Sequence, residues 1–195
     1  MKILVIGATG TLGGAVAAAL EEAGHEVVRG ARGGPVRVDL TDPASLDRAF
    51  AKVTGLAAVV CCAASGPLLD LVSATDEEFL DGMRGKLLGQ VGLARRAARN
   101  LPEGGSITLT GGTFAAPLAG GSLGALVNQG LAGFVRNAAA ELPRSQRINL
   151  VSPGWIRETL EAMGADGSGG TPAAQVAQAY LRAVHGPGSG EIIEP

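Results

Sequence analysis

The succession of apolar runs in this 195-residue chain predicts one doubly wound α/β domain, a parallel sheet of about seven strands with helices on both faces. Two observations carry that prediction. Short runs rich in Val, Ile and Leu alternate with segments of helical periodicity along the whole chain. Strands separated by helices are joined by crossovers, which makes them parallel and covers both faces of the sheet. The second observation is a glycine-rich turn set between the first strand and the first helix. No linker and no internal repeat divides the chain, so residues 1–195 read as a single domain.

In order, residues 2–7 (KILVIG) read as a buried strand and Leu12 to Ala23 as a helix that Gly24 ends. Glu26 to Arg29 and Val36 to Asp39 read as short strands. Pro43 to Lys52 form a helix with Thr41 or Asp42 as its cap and Pro43 in its first turn. Residues 57–63 (AAVVCCA) are a fourth strand. Thr75 opens a helical region reaching Asn100, with breaks expected near Gly82 and Gly85. Ser106 to Thr110 are a fifth strand, 123–142 a long helix, and 147–151 a sixth strand. Gly164 to Gly170 read as a surface loop, Thr171 to Val184 as a helix and Glu191 to Ile193 as a last strand.

Hydrophobic residues make up 46% and charged ones 17%, which excludes a disordered chain. The net charge of −2 and the lack of a basic run argue against nucleic acid or an anionic membrane surface as partner. Apolar runs are too short for a signal core or a membrane span. Cys61 and Cys62 are neighbours, a poor geometry for a disulfide, so a reducing, cytoplasmic setting is expected. His25 and His185 stand apart in the sequence without metal-ligand spacing, and both are expected alone on the surface, with no metal site.

The turn reads Gly7-Ala-Thr9-Gly10-Thr11-Leu12-Gly13-Gly14. A strand before it and a helix after it are the context in which glycines cradle a pyrophosphate. Gly7 allows the tight turn, Gly10 allows backbone to approach phosphate, and Gly13 lets helix pack on strand. The helix start offers free N–H groups and positive partial charge, and Thr9 and Thr11 add hydroxyls. Such a βα unit is of Rossmann type. An acid at the end of the second strand would hold a ribose 2′-hydroxyl, yet this strand ends Arg29-Gly30-Ala31-Arg32. Two guanidinium groups in place of a carboxylate favour NADP(H) over NAD(H).

With these motifs in place, the chain resembles the short-chain dehydrogenase/reductase family over nearly its full length. The glycine turn resembles the family's nucleotide loop in a variant spacing. Asp39-Leu40, after the third strand, resembles the adenine-contacting acid, and Cys62-Ala63-Ala64-Ser65-Gly66 stands where the family has Asn-Asn-Ala-Gly. Val151-Ser-Pro153-Gly154-Trp-Ile156 resembles the segment beside the nicotinamide. The resemblance implies that these positions line the cofactor, and that the protein is a homodimer or homotetramer packed through its two long helices.

The catalytic pattern departs from the family. The family's Tyr-x-x-x-Lys reads Gly124-x-x-x-Asn128, its Ser after the fifth strand aligns with glycine in Thr110-Gly-Gly-Thr113, and its Asn aligns with Lys86. The hydroxyls of Thr110 and Thr113, the amide of Asn128, Ser122 and Lys86 are the groups left to polarise a substrate, Thr113 and Asn128 foremost. Gly124 is expected to leave room for a phenol. The chain is also short after Pro153-Gly154, so an open site with little lid is expected. The expected function is an NADP(H)-dependent oxidoreductase acting on a small carbonyl compound, enone or imine. A cofactor-binding redox regulator without turnover, and a non-redox lyase, isomerase or cyclase, remain open alternatives.

Overall fold

The computed structural model describes residues 1–63 and 66–195. Among them, seven parallel strands form one sheet: β1 Lys2–Ile6, β2 Glu26–Ala31, β3 Val36–Arg37, β4 Ala58–Cys61, β5 Ser106–Thr110, β6 Arg147–Val151 and β7 Ile192–Ile193. Their order is β3-β2-β1-β4-β5-β6-β7. The strand order reverses between β1 and β4, and a crevice opens at the carboxyl ends of the strands there. Ile6 is in register with Gly30 on one side and Cys61 on the other, so three strands end together at that crevice.

The helices are α1 Thr11–Glu22, α2 Pro43–Lys52, α3 Asp76–Met83, α4 Gln90–Asn100, α5 Ser122–Glu141, α6 Arg157–Ala162 and α7 Ala173–His185. Helices α2, α4 and α5 cover one face through Leu46, Phe50, Leu93, Leu131 and Val135. Helices α1 and α7 cover the other through Val16, Leu20, Val176 and Tyr180. Both faces of the sheet are therefore dry, which is why its strands are apolar at successive positions rather than at alternate ones.

Several elements depart from the sequence reading. The helical region after Thr75 is not broken at Gly82 or Gly85. It passes through a π-helical segment, Arg84–Gly89, between α3 and α4. The glycines there serve close packing: a β-carbon on Gly89 would stand 2.6 Å from Leu40 Cβ, and one on Gly82 would stand 2.4 Å from Leu123 Cδ2. β2 runs two residues past Arg29, and β3 stops at Arg37 because Asp39 turns back to bind Thr41. Asp42 caps α2, accepting from the Ala44 amide at 2.9 Å. In the Gly164–Gly170 loop, Gly167 and Gly170 are buried against Arg157, and residues Gly167–Gly169 form a 3-10 turn.

His25 and His185 are not alone. His25 Nε2 and His185 Nε2 are 2.7 Å apart, sharing a hydrogen bond that ties the α1–β2 corner to the end of α7. Among the described residues no helix is long and apolar enough to cross a membrane.

Candidate active site

At the β1–α1 turn the glycines divide into two kinds. Gly7 has φ +82°, and a β-carbon there would stand 2.8 Å from the Ala63 amide nitrogen. At Gly13 a β-carbon would stand 2.1 Å from the Gly7 carbonyl oxygen. Both are glycine because the fold requires it. Gly10 differs. It is exposed, and the nearest neighbour of a β-carbon there would be the Gly7 carbonyl oxygen at 3.4 Å. Nothing in the chain itself forbids a side chain at Gly10, so its bareness suits a group arriving from outside.

That position caps α1, and no side chain caps the helix or places an acid in its first turn. The amides of Thr11, Leu12 and Gly13 have no hydrogen-bond partner among the described residues. Thr9 and Thr11 are exposed beside them. A helix start with free amides and flanking hydroxyls is an anion site.

Next to it, at the ends of β2 and β3, Asp39 Oδ1 accepts from the Thr41 amide at 2.9 Å and the Thr41 hydroxyl at 2.8 Å. These bonds hold the Asp39 carboxyl below its usual range, and the nearby guanidinium groups of Arg32 and Arg37 add to the effect. Leu40 packs on Gly89. Arg32 is exposed at this corner. Arg29 is not part of it. Its guanidinium forms a two-pronged pair with Glu21, Nη2 to Oε2 at 2.8 Å and Nε to Oε1 at 3.2 Å, near the far end of α1. Side chains alternate along a strand, and Arg29 leaves β2 on the α1 side. Arg37, which the sequence reading passed over, takes its place as the second cation near Asp39.

Across the switch point, the Cys62 amide donates to the Ile6 carbonyl at 2.8 Å and Ala63 lies against Gly7. Ala64 and Ser65 fall outside the described residues. Burial pushes the Cys62 thiol well above its ordinary range, as it does for Cys61, pushed up to about 12. Both thiols are free. Pro153 accepts from the Thr113 amide at 2.9 Å, Gly154 is exposed, and Ile156 is buried and bridged to Thr171.

Four of the candidate catalytic residues separate. Thr110 is sealed into the core. Its hydroxyl donates to the Cys61 carbonyl at 2.5 Å and shares a hydrogen bond with the Tyr180 phenol at 2.6 Å, so it ties β4, β5 and α7 and does not face a substrate. Gln90 clamps the same residue, with its amide bonding the Thr110 N–H at 2.9 Å and carbonyl at 2.8 Å. Thr113 is exposed just past β5. Asn128 lies one turn into α5 against Gly112, where a β-carbon would stand 3.1 Å from Asn128 Nδ2. Asn128 is buried, yet its Oδ1 has no hydrogen-bond partner among the described residues. Lys86 is half-buried in the π-helical segment and forms no ion pair among the described residues, and burial lowers its pKa to about 8.

The room expected beside Gly124 is taken. A β-carbon on Gly124 would stand 3.0 Å from Phe114 Cζ and 3.3 Å from Phe114 Cε2. The Phe114 ring, from the loop after β5, occupies the space into which a side chain at 124 would grow.

These residues fit a dinucleotide. The free helix amides and bare Gly10 suit a pyrophosphate, Arg32 and Arg37 suit a 2′-phosphate, and the orphaned Asn128 oxygen suits a hydroxyl or amide donor. Fold and site together define a Rossmann-type nucleotide-binding protein. A family model described as enoyl-(acyl carrier protein) reductase matches residues 11–187. The chain is 36% identical to the protein lin1944 from Listeria innocua, with a TM-score of 0.93, covering 100% of this chain and 98% of that one. It is 25% identical to a small-chain dehydrogenase, with a TM-score of 0.85, covering 100% and 95%. A small-chain dehydrogenase in complex with NADPH, 24% identical and covering 100% and 96%, has the same fold with a TM-score of 0.85. Comparison with curated proteins gives no match. The chain belongs to the short-chain dehydrogenase/reductase family and carries that oxidoreductase fold across its full length.

Proposed function

We propose that the protein is an NADP(H)-dependent oxidoreductase that acts on a small carbonyl compound, enone or imine without the family's usual phenol and lysine. The observation that carries the cofactor reading is the start of α1: uncapped, with free amides, beside a glycine that only an outside group requires. A small-chain dehydrogenase of the same fold holds NADPH, which supports the choice of ligand.

In this reading the free Thr11, Leu12 and Gly13 amides bind the pyrophosphate beside the bare Gly10, Arg32 and Arg37 bind the 2′-phosphate, and Asp39 and Leu40 border the adenine. Ala63, Pro153, Gly154 and Ile156 line the path to the reactive end. The cofactor supplies or takes up a hydride when bound. Asn128 orients its ribose or amide through the unpartnered Oδ1, and the exposed Thr113 hydroxyl stands where a substrate oxygen is met. The two free cysteines suit a cytoplasmic protein, and the family's α4–α5 packing suits a homodimer or homotetramer.

The test is a titration of NADPH fluorescence against the wild type and Gly10→Val, with circular dichroism to confirm folding. A side chain at Gly10 meets no clash within the chain, so the variant is expected to fold and to lose NADPH affinity by about tenfold or more, the loss of one to two good phosphate contacts. A folded Gly10→Val that binds NADPH like the wild type overturns the reading.

A further inference from the structure

Thr110 is sealed in the core and Phe114 fills the space beside Gly124, so neither position offers a group to a substrate. Of the candidate catalytic residues, Lys86 alone carries an ionisable side chain. Lys86 stands one turn before Gln90, and the Gln90 amide donates both to the Lys86 carbonyl at 3.0 Å and to the Thr110 carbonyl at 2.8 Å. Two hydrogen bonds from one amide thus fix the Lys86 turn directly over the end of β5. One turn earlier, Gly82 packs against Leu123 of α5 and Pro67 of the β4–α3 loop. Lys86 lies four residues before Gln90, on the helix face that Gln90 turns toward the end of β5.

The chain has three lysines. Lys2 pairs with Glu26 at 3.2 Å and Lys52 donates to the Pro35 carbonyl at 2.6 Å. Lys86 has no such partner among the described residues. Every charged group on the elements around it is engaged or remote. On α3, Glu78 closes a capping box with Thr75, Asp81 pairs with Arg84, and Asp76 and Glu77 lie two turns or more away, while Asp70 of the preceding loop accepts from the Val72 and Ser73 amides. On α4, Arg96 pairs with Asp47, while Arg95 and Arg99 lie two turns or more away. Asp39 is bound by Thr41, and α5 carries no charge before Arg136. The Cys62 thiol is neutral.

We propose that Lys86 is the acid of this site, donating its ammonium proton to the oxygen of a neutral, apolar carbonyl substrate. This rests on the reading of the protein as an NADP(H)-dependent oxidoreductase. As the hydride supplied by NADPH adds to the carbonyl carbon, the Lys86 N–H bond breaks and an O–H bond forms. Lys86 is left as a neutral amine and regains a proton from water. Partial burial without a counter-ion holds the pKa at about 8, so the group is charged at neutral pH yet gives up its proton readily. The substrate class follows from the loops beside the Lys86 turn. Leu68 and Leu118 are exposed on two loops joined by the bond from the Leu69 amide to the Gly120 carbonyl at 3.0 Å, and Pro67 of the first loop packs on Gly82, one turn before Lys86. An apolar surface beside one ammonium-bearing turn fits an apolar molecule with a single polar acceptor.

The test uses competitive acetylation of the three lysines with trace acetic anhydride from pH 6 to 11, read by mass spectrometry, in the free protein and with saturating NADPH or NADP⁺. Lys86 is expected to titrate near pH 8 and to lose most of its labelling when NADPH binds, while Lys2 and Lys52 do not change. The oxidised ring carries a positive charge, so the Lys86 midpoint is expected to be lower with NADP⁺ than with NADPH by about one pH unit. A Lys86 midpoint equal in both complexes overturns the proposal and leaves the cofactor reading standing. Absence of any cofactor binding by fluorescence overturns both. Single-turnover oxidation of bound NADPH by cinnamaldehyde is expected to slow by about 10²-fold in Lys86→Met and Lys86→Arg, with NADPH affinity unchanged. Variants as fast as the wild type, or a wild type inert to this aldehyde, overturn the assignment.

Discussion

The Phe114 ring stands 3.0 Å from where a β-carbon on Gly124 would be, so the loop after β5 fills the space in which the family resemblance leads one to expect a phenol. Gly124 is small because Phe114 is there. The two residues form one packing unit, and restoring the phenol alone cannot restore the site. Gly124→Tyr is expected to destabilise the protein by about 1 to 3 kcal/mol through overpacking. Adding Phe114→Ala to it is expected to recover most of that loss. Urea unfolding of the two variants checks this, and a Gly124→Tyr variant as stable as the wild type would show that the ring moves aside without cost.

Gln90 is the buried support of the site. It satisfies both backbone groups of Thr110, where no water reaches, and removing it strands an N–H and a C=O in the core. Gln90→Leu keeps the shape and removes both bonds. The expected loss is about 2 to 4 kcal/mol, the desolvation of two buried groups. Denaturant unfolding reads it, and a loss below about 1 kcal/mol would mean that Thr110 finds other partners.

The His25–His185 pair gives a pH dependence with a defined sign. Burial, then the N-terminal ammonium, then His185 lower the His25 pKa below 6.5. A group lowered in this way binds fewer protons folded than unfolded. Its contribution is present in full above pH 6.5 and is lost as the pH falls through the lower folded value. Melting temperatures between pH 7 and pH 5 are expected to fall, and to fall less in His185→Ala. An equal pH slope in both proteins would separate the pair from acid stability.

The fold was legible in the sequence because apolar runs and glycine turns are local signals, and the seven parallel strands follow from their order. The glycine turn between β1 and α1 was legible for the same reason. What escaped depended on tertiary contacts. Arg29 looked like a ligand until Glu21, eight residues earlier, was seen to hold it. The Thr110 hydroxyl reads as a candidate substrate contact at a strand end, but Tyr180, seventy residues later, seals it in. Phe114 is invisible as a plug, since nothing at position 114 names position 124 as its neighbour. Gln90 did carry a signal. It lies at core spacing from Leu93, Ala94 and Ala97, and a polar residue on a buried helix stripe has a buried partner to satisfy.

The central claim is a dinucleotide site at the carboxyl edge of the sheet, with Arg32 and Arg37 at the 2′-phosphate. The most direct measurement is a paired titration of wild type, Arg29→Ala and Arg32→Asp with NADPH and NADH, followed by nucleotide fluorescence. The wild type and Arg29→Ala are expected to bind NADPH more tightly than NADH by about tenfold or more, the worth of one charge-assisted phosphate contact. Arg32→Asp is expected to reverse that order. Equal affinity of the wild type for both nucleotides, or an Arg32→Asp variant that keeps the wild-type preference, would contradict the account.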